Sequence, residues 1–284
     1  MRINSINTAY NYAGTVHKKV NKNINKYQND ALAFKGRISS SIYNENIGSN
    51  SASYYFRNDL NWKQLKEYLT DKFKDYDKVN TYIWGCADGQ EAYSFAALAA
   101  CSSGGSKFYP VHAMDINPVI IKRNKIKQLS GVSFDNDALG RIRKNLSGMD
   151  CLEPEKYIDE VPPIITGRLH KFKESIVNQV QFSCSDIISD LDKIDGSKPS
   201  IIMCRNMWPY INPENYDKCA ETMYNKLGSG SVVIIGAYDV TGEPFVEKSD
   251  SFPLSLIQAG FKQKHAARGI SAGNLEDQPL IYEK

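Results

Sequence analysis

The sequence predicts an α/β fold: a doubly wound parallel sheet with helices on both faces. Three observations lead there. Segments of strand and helix character alternate from about residue 60 to the end of the chain. The strand-like segments are short continuous apolar runs, as expected for strands covered on both faces. The first of them ends in a glycine-bearing turn that opens directly into a helix, the usual place for a ligand in such a sheet.

The elements follow in order. Trp62, Leu65, Leu69, Phe73 and Tyr76 recur at spacings of three and four, so Leu60 to Tyr76 reads as an amphipathic helix. Thr81 to Trp84 is a β-branched and aromatic run, a buried strand that Gly85 ends. Glu91 to Cys101 is alanine-rich and helical. Phe108 to Ile116 is a second strand. Asn117-Pro118 then starts a helix, with Asn as cap and Pro in the first turn, and Gly131 ends it. Asp137 to Leu146 fits a helix, and Ile164 to Phe172 fits a strand or a hairpin. Val180 to Cys184 and Ser200 to Cys204 are strands, with a short helical or loop segment at Ile187 to Ile194 between them. Asn212-Pro213 repeats the helix-start signal. Tyr216, Cys219, Ala220, Met223, Tyr224 and Leu227 share the apolar face of the helix that follows, and Gly228 takes its C-cap. Ser231 to Gly236 is a strand, Phe252 to Ala259 a helix, and Lys262 to Ala266 and Leu280 to Tyr282 the last strands.

Residues 1–48 differ from this body. They are rich in Asn, Ser, Lys and Tyr and read as a polar, disordered tail before a domain at 49–284. The chain has 284 residues, 42% of them hydrophobic, enough for one large α/β core. A formal charge of +3 favours neither nucleic acid nor membrane as a partner. No run of 18 apolar residues is present, and the first residues lack the apolar stretch of a signal peptide, so a cytoplasmic location is expected. The six cysteines, Cys86, Cys101, Cys151, Cys184, Cys204 and Cys219, form no CxxC pair. They read as reduced residues, with Cys86, Cys184 and Cys204 in buried strands. The four histidines are isolated, and no metal site is expected.

Ligands bind beyond the carboxyl ends of such strands. After the first strand come Gly85, Cys86, Ala87, Asp88, Gly89, Gln90 and Glu91, a turn in which two glycines allow close backbone approach. The helix behind it points amide donors at a ligand, which suits a carboxylate. Asp115 ends the second strand, placed to accept from ribose hydroxyls. Ser185 and Asp186 follow the third, and Arg205 and Asn206 the fourth. The dinucleotide fingerprint G-x-G-x-x-G and the Walker loop are both absent, which lowers a nicotinamide-dependent oxidoreductase and a nucleotide hydrolase. What remains is a nucleoside-shaped site without a phosphate cradle.

At these residues the chain resembles the chemotaxis-receptor (protein-glutamate) methyltransferases, the CheR type. The segment TYIWGCADGQEAYSFA resembles W-x-A-G-C-S-x-G-E-E-P-Y-S-x-A; Gly85, Cys86, Gly89, Glu91, Tyr93 and Ser94 match, while Asp88, Gln90 and Ala92 depart. HAMDINPVIIKRNK is similar to the family's A-T-D-I-D segment, VQFSCSDI to V-x-F-x-x-x-[ND]-L, and IIMCRNMWPYINPE to I-F-C-R-N-V-x-I-Y-F. SASYYFRN resembles N-x-T-x-F-F-R-[DE], with Ser53 at the Thr place and Arg57 at the Arg.

The resemblance implies a class I methyltransferase fold, Rossmann-like, with S-adenosylmethionine as cofactor. It implies that Gly85, Cys86, Gly89 and Glu91 hold the methionine end, the glutamate pairing with its ammonium. Asp115 with Ile116 would bind the ribose, and Asp186 with Ile187 the adenine. Ser53 and Arg57 would close over the cofactor. Arg205, Asn206 and Tyr210 would line the meeting place of sulfonium and acceptor, with Arg57, Arg205 and Tyr210 as the catalytic set. Arg205 also fits a structural ion-pair partner, and Trp208 a partly exposed packing residue. The implied acceptor is a protein carboxylate, on a chemoreceptor-like partner. The family's small β-subdomain would fall around residues 150–175. Its N-terminal helical domain gives way here to about 50 polar residues, and Gly236-Ala237-Tyr238-Asp239 stands where the family tends to G-x-S-E. These departures leave open another methyl acceptor, or a non-catalytic cofactor-binding module.

Overall fold

The computed structural model describes residues 53–151, 153–161, 169–241, 251–264, 267–269 and 279–284. The expected tail at 1–48 lies outside them, as do parts of the segments expected at 164–172 and 262–266.

Helix α1 (Trp62–Lys72) is capped by the Asn61 side chain, which accepts from Gln64 N, and buries Trp62, Leu65 and Leu69. It ends before Phe73 and Tyr76, so the expected last turn is lost. Strand β1 (Asn80–Trp84) leads into α2 (Gln90–Ala100), whose residues Ala92 to Ala99 are all buried. A 3-10 turn (Gly105–Phe108) and a cis Tyr109-Pro110 bond replace the front of the long second strand, leaving β2 (Val111–Asp115). Helix α3 (Pro118–Ser130) starts where expected: Asn117 Oδ1 accepts from Val119 N at 2.9 Å. Next come β3 (Ser133–Phe134), α4 (Asn136–Gly148), β4 (Ile158–Val161), β5 (Leu169–Phe172) and α5 (Glu174–Val177). Strand β6 (Val180–Cys184), α6 (Ile187–Asp190) and β7 (Ser200–Met203) complete the middle of the chain. The remainder is α7 (Tyr216–Lys226), β8 (Val232–Ile234), α8 (Ala237–Thr241), α9 (Phe252–Ala259), β9 (Lys262–Lys264) and β10 (Ile281–Glu283).

Seven strands form one sheet in the order β6-β2-β1-β7-β8-β10-β9. The five strands from β6 to β8 are parallel, and β10 alone runs against its neighbours. This departs from the all-parallel sheet expected. A single reversed strand near one edge is compatible with a doubly wound core, because it adds pairing without another crossover helix. The chain moves outward from β1 to β2 and β6, then returns to the other side through β7 and β8. Right-handed crossovers in opposite directions put their helices on opposite faces. The switch point therefore lies between β1 and β7.

A second sheet, β3-β5-β4, is antiparallel and sits between α3 and β6 in the chain. It occupies the place expected for the β-subdomain and begins earlier, at Ser133. Phe134 and Phe172 from it pack on Tyr55 at centroid distances of 5.6 Å.

Four details differ from the sequence reading. Cys101 and Cys151 form a disulfide with Cα atoms 5.4 Å apart, so six reduced cysteines is corrected to four: Cys86, Cys184, Cys204 and Cys219. Cys184 is exposed, not buried, because β6 is an edge strand. Trp208 is fully buried and stacks on Phe252 with ring centroids 3.3 Å apart. Leu227, not Gly228, caps α7; Gly228 lacks a side chain because a Cβ there would lie 2.5 Å from Lys198 O.

Candidate active site

A cavity opens beyond the carboxyl ends of β1, β2, β6 and β7. Trp84, Gly85, Ala87, Asp115, Ile116, Ser185, Ile187, Arg205, Asn206 and Tyr210 all line it, together with Ser53, Arg57 and Glu91. Ten of the residues singled out in the sequence thus converge: Ser53, Arg57, Gly85, Glu91, Asp115, Ile116, Ile187, Arg205, Asn206 and Tyr210. Cys86, Gly89 and Asp186 do not line it. Cys86 is buried, and burial pushes its thiol well above the ordinary value. Gly89 has φ +85, and a Cβ there would meet Phe182 Cζ at 2.9 Å. Its missing side chain makes room for Phe182, not for a ligand. The Asp186 carboxylate caps α6, accepting from Ile188 N at 3.0 Å.

The glycine turn is held by its neighbours. Asp115 Oδ2 accepts from Ala87 N at 3.0 Å and Oδ1 from Asn117 N at 2.9 Å. Each oxygen keeps a lone pair for a further donor. Burial raises the Asp115 pKa above the usual carboxylate value, against the pull of those two donors. The Ser53–Arg57 segment is tied to α2, since Phe56 N donates to Ser94 Oγ at 2.8 Å. Ser94, a match to the family motif, therefore positions a wall of the cavity.

Beneath the cavity lies a buried charge network. The Arg205 guanidinium is fully buried; Nη1 donates to Glu91 Oε2 at 2.6 Å and Nη2 to Asp59 Oδ1. Of the two readings of Arg205, the geometry favours the structural ion pair over contact with an acceptor. Asp59 Oδ2 also accepts from Ala237 N at 3.0 Å. Asp239 accepts from Gly236 N at 2.7 Å, Asn206 N at 2.5 Å and Trp208 N at 3.0 Å. It thereby joins the turn after β7 to the turn after β8. Asn206 adopts φ 57, and its Oδ1 accepts from Tyr238 N at 3.1 Å. Burial pushes Asp239 up to about 7, despite its three donors, and Asp59 adds to the shift. Burial raises Glu91 too, with Arg205 opposing.

Sequence reasoning missed Asp59, Asp239 and Tyr238. For Asp59 a signal existed: Asn58 stands at the acidic place of the Arg57 motif, and the acid follows one residue later. Asp239 stands at the Glu place of G-x-S-E. Two of its three donors, Asn206 N and Trp208 N, lie more than 30 residues back, and only Gly236 N is local.

The model of the CheR methyltransferase, SAM binding domain, matches residues 51–252, a span that contains every residue of this site. The chain belongs to this family. Its cofactor is accordingly S-adenosylmethionine. A chemotaxis protein methyltransferase of Listeria monocytogenes is 25% identical over 66% of this chain and 64% of its own length. One of Listeria innocua is 22% identical over the same shares. The match thus spans less than two thirds of these relatives. Among solved structures, a SAM-dependent methyltransferase from Archaeoglobus fulgidus is similar over 69% of each chain, with 14% identity and a TM-score of 0.36. The magnesium protoporphyrin IX methyltransferase of Synechocystis PCC 6803 with bound SAM is similar over 78% of this chain and 77% of its own, with 11% identity and a TM-score of 0.36.

The cavity of this CheR-family domain fits its cofactor chemically. Ile116, Ile120 and Ile187 give an apolar wall for a base, and Asp115 retains acceptor capacity for hydroxyls. Glu91 and Arg57 offer opposite charges to an amino-acid end. Of the buried network, Glu91 and Arg205 reach the cavity lining, with Asp59 and Asp239 behind them. Among the described residues no cluster of His, Cys, Asp and Glu has the makings of a metal site, and no helix is long and apolar enough to cross a membrane.

Proposed function

We propose that this chain transfers a methyl group from S-adenosylmethionine to a carboxylate of a protein partner, a glutamate side chain. The supporting observation is the cavity itself. One opening brings together the glycine turn, Asp115, Glu91, Arg57 and Tyr210, with acids at its floor and Arg57 in its wall. The cofactor supplies an electrophilic methyl group on a cationic sulfur. The acceptor carboxylate is already ionised at neutral pH, given a reference pKa of about 4.3 for Glu, so no general base is needed. The protein's task is alignment and exclusion of water, effects that lower a barrier by about 7–11 kcal/mol in favourable cases. Arg57 and Tyr210 orient the acceptor by charge-assisted hydrogen bonds. Arg205 holds Glu91 and Asp59 in place from below.

The relatives named chemotaxis protein methyltransferase support a chemoreceptor-like partner. The test is transfer of labelled methyl from S-adenosylmethionine into proteins of a cell lysate, followed by alkaline treatment. Base-released volatile methanol, reduced in Tyr210→Phe by about tenfold or more, is the expected result. Label that resists base would point to a nitrogen acceptor. Tight S-adenosylhomocysteine binding with no transfer would point to a non-catalytic module.

A further inference from the structure

The rim of the cavity carries the opposite sign to its floor. Arg57 lies between two exposed tyrosines, its guanidinium carbon 5.8 Å from the Tyr54 ring centroid and 5.6 Å from that of Tyr238. On the far side of Tyr54, the exposed Arg141 of α4 lies 5.4 Å from the same ring. The result is a continuous ladder, Tyr238–Arg57–Tyr54–Arg141, from the cavity edge out across the small-sheet insertion. Two of its members, Arg57 and Tyr238, line the cavity itself.

A guanidinium beside an aromatic ring keeps its N–H donors for another partner, and that planar fork can grip a carboxylate with two bonds. Among the described residues neither Arg57 nor Arg141 forms an ion pair. Asp137, one turn earlier on α4, does not bridge to Arg141, and Glu91 below Arg57 is already taken by Arg205. The two cations thus lie beside aromatic rings and form no ion pair among the described residues. Holding them costs little conformational freedom when a ligand arrives.

We infer that this ladder is the docking surface for an acidic polypeptide segment, which it seats so that one carboxylate enters beside Arg57. The inference rests on the methyl-transfer reading for its purpose, and it names what that reading lacks: Arg141, Tyr54 and Tyr238 as residues that select the acceptor. Charge complementarity commits the occupant. A cationic ligand belongs on the acidic floor, an anionic chain on the arginine rim. A nucleic-acid strand fits less well, because both tyrosines already have a guanidinium beside the ring on which a base would stack.

The test uses the full chain with S-adenosylhomocysteine present and a fluorescein-labelled peptide of alternating glutamate and alanine as probe. Anisotropy reports binding at low salt. We expect the probe to bind, an equivalent lysine–alanine peptide not to bind, and Arg141→Glu to weaken the acidic probe about tenfold or more. Lys122→Glu, the same charge change on α3, is expected to leave it within about twofold. Affinity for S-adenosylhomocysteine in Arg141→Glu serves as the folding control and should not change. No binding of the acidic probe overturns the inference, as does equal weakening by both reversals. Oligouridylate displacing the peptide with higher affinity also overturns it. Failure of the methyl-transfer reading looks different: no base-labile methyl would enter protein, whether or not the wild-type chain binds S-adenosylhomocysteine and whatever the peptide does.

Discussion

Arg205 holds Asp59 and Glu91 together across separations of 146 and 114 residues, with its guanidinium wholly out of solvent. Removing one member of such a buried set strands the others' charges, which typically costs about 3–5 kcal/mol. Arg205→Met should therefore lower the free energy of urea unfolding by about that amount. A loss under about 1 kcal/mol would show that the network is not under tension. A drop in methyl transfer in this variant would then report on folding, so Arg57 and Tyr210 are the cleaner probes of chemistry. Asp239 gives a pH-dependent counterpart. Burial pushes it up to about 7, above its ordinary value, so the folded state binds a proton that the unfolded state has already released. Its contribution to stability is complete below the ordinary Asp value and is lost as pH rises through about 7. Glu91 and Asp115 are raised as well and act in the same sense. The acids that are lowered, Asp190, Asp195 and Glu283, are already ionised in that window, while His112, lowered by burial, acts in the opposite sense as a single partly exposed group. Thermal midpoints should fall between about pH 5 and 7, the upper part of the span from the ordinary Asp value to that of Asp239, and a rising midpoint there would contradict the assignment. Most motif residues of this site were legible because they follow a strand, whereas Ser53 and Arg57, which precede α1, were legible only through the resemblance. Asp59 and Asp239 were not, because their partners are far away in sequence.

The turn between β1 and α2 shows what a motif hides at the level of an element. Both glycines have positive φ, +66 at Gly85 and +85 at Gly89, a region that side chains rarely adopt. Only Gly85 faces the cavity. Gly89 caps α2 and lets Phe182 of β6 approach, so the second glycine of the motif serves packing between adjacent elements. Gly89→Ala should destabilise the fold by about 1–3 kcal/mol, from the strained backbone and the contact with Phe182 together. Adding Phe182→Leu should recover part of the loss, because it relieves the contact and leaves the strain. Equal stability of the single and double variants would remove Phe182 from the explanation; paired urea titrations decide it. Of the helix starts made by a local group, the one at Asn117 was read, and those at Asn61 and Asp135 were missed by one or two residues. Asn61, Asn117 and Asp135 cap α1, α3 and α4 through their side chains. Asn212-Pro213 carries the same signal, yet it opens a 3-10 turn (Pro213–Asn215) before α7 begins. The strands from β1 to β8 of the main sheet were readable as apolar runs, but β3 and β4 of the small sheet were not read, and neither was the direction of β10. Nothing in Leu280 to Tyr282 tells whether its partner runs with or against it; pairing with both β8 and β9 settles that.

At the scale of the whole molecule the unforeseen feature is the covalent link between the two sheets' territories. Cys101 follows α2, the helix that presents Glu91 at its other end, and Cys151 follows α4 of the small-sheet insertion. No sequence spacing announces this pair, because 50 residues separate its members and they meet only when the insertion folds back on the main domain. Two other contacts run the same way. Lys66 of α1 donates to Met149 O, and Tyr157 OH donates to Ala100 O at 3.4 Å. Closing a loop of that length is worth about 4 kcal/mol in the chain-entropy account. Protein purified in air without reductant should take up alkylating reagent at Cys86, Cys184, Cys204 and Cys219 after denaturation, and at no other cysteine. Reduction should then lower unfolding stability by up to about 4 kcal/mol. Affinity for S-adenosylhomocysteine should stay within about twofold, because the disulfide sits at the far end of α2 from the cavity. Six alkylated cysteines in the unreduced protein would remove the link. A large loss of ligand affinity on reduction would instead mean that the insertion's seating sets the position of Tyr54 and Arg57. Tyr55, between them, packs against Phe134 and Phe172 of the small sheet, so a displaced insertion would reach the cavity through that ring.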